Sequence, residues 1–223
     1  MSAAKGDGVR CFVAIEIPKP VQALLKPVQT RLQSLGKSRD PSEVARSGSS
    51  GWVASADHRD GVLSPIRKAS WTKPGNFHLT LKFLGDVRPE AIGAVSEAVE
   101  NVAATQCPFS IEFGGIGAFP TLARPRVIWV GIKHGAATVS NLAKAVNLDL
   151  KHLGFPTDNR FHPHLTLGRL RSPVNLQPLK SILRKYDTID GATVNVNEIT
   201  VMQSQLHPNG AIYTPLNVCH FSA

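Results

Sequence analysis

The tetrapeptide His-Leu-Thr-Leu occurs twice in this chain, at 78–81 and at 164–167. Around each copy, hydrophobic periodicity predicts the same succession of a strand, a helix, the histidine strand, a second helix and a further strand. The histidine moves by 86 residues between the copies (78 to 164), and the strand that follows it moves by 84 (109 to 193). This repetition predicts a duplicated α+β unit, whose two lobes are related by a pseudo-twofold axis and face a shared cleft.

The first copy contains an extra segment at about 36–69. The opening strand moves by 117 residues (10 to 127), which exceeds the histidine interval by 31. The segment is rich in Ser, Gly, Arg and Asp and has no apolar periodicity, so it is typical of a mobile loop. Loops of this length are uncommon in compact domains. We therefore predict a flexible insertion within a single bilobal domain that spans 1–223.

The rest of the chain divides into predicted strands and helices of ordinary length. Strands are predicted at 10–17, 78–84, 109–113, 127–132, 164–170, 193–203 and 211–220, and helices at 21–35, 88–104, 136–153 and 176–186. Pro27 lies inside the first of these helices. A proline there removes a backbone hydrogen bond, so we expect a kink or a late start of the helix.

Charge and cysteine content limit the partners and the compartment. The formal net charge is +9, which favours a polyanionic partner such as nucleic acid. No apolar run approaches the roughly 20 residues that a membrane helix needs. Cys11, Cys107 and Cys219 are scattered and have no metal-ligand spacing, which favours reduced thiols in the cytoplasm over disulfides or a structural zinc. We expect a cytoplasmic monomer without a membrane anchor.

Both histidine strands carry their polar residues on one face. Because side chains alternate along a strand, His78, Thr80 and Lys82 are expected on one face of the first strand. By the same rule, His164 and Thr166 share a face of the second strand. The leucines between them point the other way, into their lobes. If the lobes face each other, two imidazoles and two hydroxyls converge.

These side chains suit the cleavage of a phosphodiester. In-line opening needs a base on one side of phosphorus, an acid on the other and donors for the phosphoryl oxygens. Imidazole titrates near neutrality, so one histidine can be neutral while the other is protonated. A metal site that uses His162, His164 and a third ligand is a less favoured interpretation, because no carboxylate at suitable spacing accompanies them. His162 is expected to support His164 rather than to catalyse.

The sequences HLTL at 78–81 and HPHLTLGRL at 162–170 resemble the paired motifs of the two-histidine (2H) phosphoesterases. Within that superfamily, the chain is most similar to the RNA 2′,3′-cyclic phosphodiesterases, also called 2′-5′ RNA ligases. The similarity includes RCFVAIEIP, SWTKPGNFHLTLKFLGDV, GGIGAFPTLARPRVIWVGI, HLGFPTDNRFHPHLTLGRL and VMQSQLHPNGAIYTPL. It covers most of the chain, whereas the segment at about 36–69 departs from the compact family pattern. The resemblance implies the 2H phosphoesterase fold, with two lobes of antiparallel sheet and outer helices around a central cleft.

The resemblance also implies an activity. A 2′,3′-cyclic phosphate at an RNA end would be hydrolysed to a 2′-phosphomonoester, without a metal or any other cofactor. By motif position, His78 would be the proton donor to the leaving 3′ oxygen and His164 the proton acceptor that activates water. Thr80 and Thr166 would bind the phosphate. The sequence alone leaves the acid and base roles open, because the two strands are quasi-equivalent.

Several other residues are candidates for substrate binding. Arg126 matches a family position near the phosphate, and Lys82, on the predicted catalytic face, could neutralise phosphate charge. Phe119 and Phe161 are candidates for stacking on a base. Arg169 is one residue out of phase with His164, so its side chain is expected to point away from the cleft.

Three further functions share this sequence pattern. Two are enzymatic, namely 2′-5′ RNA ligation and the opening of a small cyclic nucleotide, and both would use the same histidines and threonines. The third is a non-catalytic module that binds RNA ends, which the net charge of +9 suits equally well. Two titratable histidines in matching positions favour catalysis over binding alone.

Overall fold

The computed structural model describes residues 8–34, 69–158, 160–171, 176–177, 180–208 and 210–222. Within those ranges the strands are β1 Val9–Glu16, β2 Ala69–Trp71, β3 His78–Val87, β4 Phe109–Phe119, β5 Val127–His134, β6 His164–Leu170, β7 Thr193–Val196, β8 Glu198–His207 and β9 Gly210–His220. The α-helices are α1 Lys19–Ser34, α2 Ile92–Ala103, α3 Ala136–Lys151 and α4 Lys180–Leu183. Each predicted strand and helix has a counterpart, although several boundaries differ.

The first helix follows the apolar periodicity of its sequence. Four of its apolar residues recur at helical spacing and are almost completely buried, namely Val21, Leu25, Val28 and Leu32. Pro20 lies in the first turn, where its missing N–H would have no intrahelical partner in any case. The helix begins before Pro27 and continues beyond it, so the expectation of a late start is wrong.

The strands form two antiparallel sheets. Sheet 1 has the order β3-β1-β8-β9, and sheet 2 has the order β2-β6-β5-β4-β7. Each sheet combines strands from both halves of the chain, because β4 from the first half pairs with β5, and β8 from the second half pairs with β1. The prediction of one strand over 193–203 is therefore wrong. The chain leaves sheet 2 after Val196 and enters sheet 1 at Glu198.

One main core joins both sheets to the helices. Sheet 1 contributes residues such as Val13 and Leu79, and sheet 2 contributes residues such as Val130 and Leu165. Buried residues of α1, α2 and α3 belong to the same cluster, so removal of apolar surface from water holds the two sheets together. The alternate residues of the same strands lie on the opposite faces, which leaves those faces free to form a site. This is the α+β arrangement of antiparallel sheets that the sequence predicts.

Some predicted elements differ in extent. The helix predicted over 88–104 begins as a 3₁₀ turn, Pro89–Ala91. Among the described residues of the helix predicted over 176–186, 180–186 form α4 and a 3₁₀ turn, Arg184–Tyr186. The strand predicted at 109–113 extends through the glycine-rich segment to Phe119.

The predicted insertion at about 36–69 lies outside the described residues, except for Ala69, which begins β2. The single domain over 1–223 stays a prediction. In the part of the chain that the structure describes, no helix has the length and apolar character needed to span a membrane.

Candidate active site

Both histidine strands contain a β-bulge immediately after the His-Leu-Thr sequence. In the pairing of β1 with β3, Ala14 lies opposite Thr80 and Val13 lies opposite Lys82, so Leu81 has no partner. In the pairing of β5 with β6, Trp129 lies opposite Thr166 and Ile128 lies opposite Gly168, so Leu167 has no partner. An extra residue in a strand reverses the alternation of side chains beyond it. The residues directly after the bulge, Lys82 and Phe83 in β3 and Gly168 and Arg169 in β6, therefore lie on the faces opposite to those predicted.

The bulge moves Lys82 away from the catalytic face. Its side chain is only 6% exposed, and its Nζ donates hydrogen bonds to Asn147 Oδ1 at 2.6 Å and to the carbonyl oxygen of Pro156 at 2.7 Å. The face predicted for Lys82 is wrong. Its interactions are those of a structural lysine, which joins β3 to α3 and to the loop that follows α3.

The bulge brings Phe83 and Arg169 onto the catalytic face. They occupy equivalent positions, five residues after His78 and five after His164, and Phe83 is 64% exposed. The register beyond the bulge puts Arg169 on the same face of β6 as His164. Burial is the main cause of the lowered pKa of both histidines, and the positive charge of Arg169 lowers both further. The expectation that Arg169 points away is therefore wrong. Sequence alternation missed both residues because the bulge depends on strand pairing.

The two motif histidines make the same hydrogen bond. His78 Nδ1 lies 2.8 Å from the carbonyl oxygen of Asn76, and His164 Nδ1 lies 2.7 Å from the carbonyl oxygen of His162. A carbonyl oxygen only accepts, so Nδ1 carries the hydrogen in both rings. Nε2 is then the atom that is left to accept or donate a proton. Each ring is held for acid–base chemistry by the backbone two residues before it.

Burial lowers the pKa of both histidines, because it disfavours the imidazolium form. The hydrogen bond to the carbonyl acts in the opposite direction in each case. The positive charge of Arg169 lowers both pKa values further, and the charge of His164 contributes to the decrease at His78. Both rings are therefore mainly neutral near pH 7 without a ligand. A bound phosphate would favour protonation of one ring.

Aromatic side chains flank both imidazoles. The His78 ring lies 4.8 Å from that of Phe12 and 5.0 Å from that of Tyr213. The His164 ring lies 5.0 Å from that of Phe119, edge to face, and 6.2 Å from that of Trp129. These contacts restrict the rotation of both imidazoles and exclude water from one side of each.

Helices from the opposite halves of the chain support the two bulges. Gln29 of α1 donates hydrogen bonds from Nε2 to the carbonyl oxygens of Leu167 and Thr72, both at 2.8 Å. Asn147 of α3 accepts the hydrogen bond from Lys82, next to the other bulge. Both amide side chains are 4% exposed. Each histidine strand is thus positioned by a buried amide that is distant in sequence.

The two motif threonines are available for a ligand. Thr80 and Thr166 are partly buried, and among the described residues neither hydroxyl has a hydrogen-bond partner. In the same part of the chain, no group of three His, Cys, Asp or Glu side chains is placed to hold a metal ion. The threonine hydroxyls share a strand face with the histidines and Arg169 follows on the same face of β6, so the polar groups of this face include hydroxyl and guanidinium donors, which suit an oxyanion.

The remaining sequence candidates separate into two groups. Phe119 lies near the site, edge-on to both His162 and His164. Phe161 is partly buried against the main core, so packing accounts for its position. Arg126 is exposed directly before β5, where its carbonyl oxygen accepts a hydrogen bond from Leu170 N at 2.8 Å. The backbone carbonyl of His162 accepts the hydrogen bond from His164 Nδ1, whereas the role of the His162 side chain stays a prediction.

Comparison with known families gives one match over most of the chain. A family model described as LigT like phosphoesterase matches residues 59–129 and 130–213. These two segments correspond to the two copies of the His-x-Thr strand.

Curated proteins and solved structures give the same picture. The RNA 2′,3′-cyclic phosphodiesterase of Aquifex aeolicus is 38% identical over 65% of this chain and 77% of its own length. The protein of the same name from Archaeoglobus fulgidus is 38% identical over 70% of this chain and 86% of its own length. A protein from Thermus thermophilus has a TM-score of 0.70 at 24% identity, over 95% of this chain and 97% of its own. E. coli LigT complexed with 3′-AMP has a TM-score of 0.69 at 21% identity, over 97% of this chain and all of its own.

Proposed function

Because the chain belongs to the LigT-like phosphoesterases, we propose that it hydrolyses the 2′,3′-cyclic phosphate at an RNA end to a 2′-phosphomonoester. The proposal includes a mechanism without a metal, in which the two histidines transfer the protons. The observation that carries it is the identical hydrogen bond from Nδ1 of each histidine to the backbone. This bond reserves Nε2 of both rings for the substrate.

In the proposed reaction, His164 Nε2 accepts a proton from water as the water oxygen bonds to phosphorus. The bond from phosphorus to the 3′ oxygen breaks on the opposite side, and His78 Nε2 donates its proton to that oxygen. Acid and base catalysis of this kind typically contribute about 10²–10⁴-fold each. The product is a 2′-phosphomonoester with a free 3′ hydroxyl, and a proton moves from His164 to His78 through solvent before the next turnover.

The residues around the histidines support binding of a nucleotide phosphate. Thr80 and Thr166 have free hydroxyls among the described residues, and Arg169 carries a positive charge that both imidazoles experience. Phe83 is 64% exposed on the same face and can stack on a nucleobase. Arg126, which is exposed directly before β5, is proposed to contact the phosphate backbone. Phe119 is a second proposed stacking residue, because its ring lies 5.0 Å from that of His164.

The net charge of +9 suits an RNA substrate. We also propose that the enzyme works as a monomer in the cytoplasm. The proposal of a reducing compartment is based on its three cysteines, which are free thiols. Light scattering during gel filtration would test the oligomeric state directly.

The proposed function is tested with an oligonucleotide that ends in a 2′,3′-cyclic phosphate. The purified protein is incubated with it in EDTA, and the product is separated into 2′- and 3′-phosphate isomers. Rapid formation of the 2′ isomer is the expected result. A 3′-phosphate product would contradict the proposed direction of ring opening. Inhibition by EDTA that a divalent ion reverses would contradict the metal-free mechanism, and tight binding without product would indicate a binding module.

A further inference from the structure

Tyr213 joins the candidate site from the edge strand of sheet 1. Its ring lies 5.0 Å from that of His78 at an interplanar angle of 85°, and 5.1 Å from that of Phe12. It packs against a small buried cluster of Phe12, Ala14 and Met202, which is separate from the main core. This cluster lies on the catalytic face of sheet 1, because Ala14 is paired with Thr80. The ring of Tyr213 is therefore held beside His78 by packing.

The hydroxyl group of Tyr213 is available to bind a ligand. Among the residues that the structure describes, none makes a hydrogen bond to it. Burial raises the pKa of the phenol, whereas the charges of Arg169 and Arg10 lower it by smaller amounts. The phenol is therefore neutral at physiological pH and acts as a hydrogen-bond donor. Arg169 is the same side chain whose charge reaches both histidines.

The two histidine strands carry different residues at one equivalent position, five residues after each histidine. After the bulge, sheet 2 presents Arg169, whereas sheet 1 presents the apolar Phe83 at the matching place. The strand of His78 thus supplies no polar side chain at the position where the strand of His164 supplies Arg169. Tyr213 brings a polar group to the His78 side from a different strand.

We propose that Tyr213 is a further catalytic residue, whose phenolic O–H donates a hydrogen bond to a non-bridging phosphoryl oxygen on the His78 side. The phenol keeps its proton throughout, and it stabilises the negative charge that grows on this oxygen as water adds to phosphorus. This assignment rests on the proposed hydrolysis of a cyclic phosphate.

The first test is Tyr213→Phe, which keeps the ring and removes only the hydroxyl. Loss of one donor to a developing oxyanion typically lowers kcat by about 10²–10³-fold. We expect a decrease of roughly 10²-fold in kcat with a change in KM within about threefold, because the bond strengthens in the transition state. Tyr186→Phe, at the other tyrosine of the chain, is the matched control and should retain wild-type kcat.

The second test identifies the oxygen. In a cyclic phosphorothioate, sulfur replaces one non-bridging oxygen and accepts hydrogen bonds poorly. Wild-type protein should hydrolyse the diastereomer with sulfur toward Tyr213 slowly. Tyr213→Phe should hydrolyse that diastereomer at the same rate as wild type, because the hydrogen bond is already lost. The other diastereomer should lose the same roughly 10²-fold as the ordinary substrate.

The outcomes separate the two proposals. If wild-type protein opens no cyclic phosphate, the proposed function fails and the role of Tyr213 fails with it. If wild-type protein is active, and Tyr213→Phe has wild-type kcat or slows both diastereomers equally, only the role of Tyr213 is overturned. Thermal unfolding of Tyr213→Phe provides the folding control, since a variant with wild-type Tm has lost its hydroxyl and not its fold.

Discussion

Leu81 and Leu167 occupy the same position in the two histidine strands, each as the unpaired residue of a β-bulge. Up to the bulge, His and Thr of each motif share one face of the strand. Directly after it the side chains point to the opposite faces, so that Lys82 is buried and Arg169 lies on the same face as His164. Because of the bulges, Lys82 is a buried structural residue, whereas Arg169 lies on the same face as His164.

Replacement of either motif histidine, His78 or His164, should strongly reduce turnover without unfolding the protein. We expect His78→Ala and His164→Ala to lower kcat by about 10²–10⁴-fold each, because each removes an acid or a base. His162→Ala is the matched control, since His162 supports His164 through a backbone carbonyl that alanine retains. Single-turnover assays and circular dichroism would measure both properties. Retention of more than a few per cent of wild-type turnover by either first variant would refute the two-histidine mechanism.

Arg169→Met should weaken catalysis and shift its pH dependence. The guanidinium lowers the pKa of His78 and His164, so its removal should raise both pKa values. We expect kcat/KM to fall by roughly 10²-fold through loss of a charged donor, and its pH profile to move to higher pH. Arg171→Met, at an exposed position two residues later, serves as the control. An unchanged profile with unchanged kcat/KM would mean that Arg169 does not act at the site.

Lys82→Met should affect stability rather than activity. The substitution leaves Asn147 Oδ1 and the carbonyl oxygen of Pro156 without their donor. Loss of hydrogen bonds to a charged group typically costs about 1.5–3 kcal/mol, so we expect a decrease of that order in the free energy of unfolding. Urea denaturation measures it, and kcat/KM for a short substrate should stay within about threefold of wild type. A large loss of kcat/KM in a protein of wild-type stability would show that Lys82 takes part in substrate binding.

Stability should increase with pH across the acid range in which the two histidines titrate. Burial lowers the pKa of His78 and His164 in the folded state, so the unfolded chain binds more protons between those values and about 6.5. This contribution is present above about pH 6.5 and is lost as the pH falls through the lowered values. Tm measured from pH 5 to 7.5 should rise, with a smaller slope in His78→Ala than in wild type. An equal slope in both would show that His78 titrates normally in the folded protein.

The local part of the site was accessible from the sequence. Strand alternation correctly placed His78 with Thr80 and His164 with Thr166, because side-chain direction over three residues depends only on the local backbone. The helices were found for the same reason, as their buried faces repeat within a few residues. The repeat itself indicated two matching strands that face each other.

Only the tertiary structure decided what lies beyond each threonine and which strands share a sheet. The bulges at Leu81 and Leu167 depend on neighbouring strands, and that at Leu167 also on Gln29, which is 138 residues away. β4 pairs with β5 and β8 pairs with β1, so each of these two strands lies in a sheet with strands from the other half of the chain. This placement likewise depends on contacts between distant segments. Tyr213 reaches His78 only because β9 pairs at the edge of sheet 1. A periodic pattern predicts the direction of each side chain relative to its own backbone. A site forms where different segments meet, and the packing of the whole chain determines which segments meet.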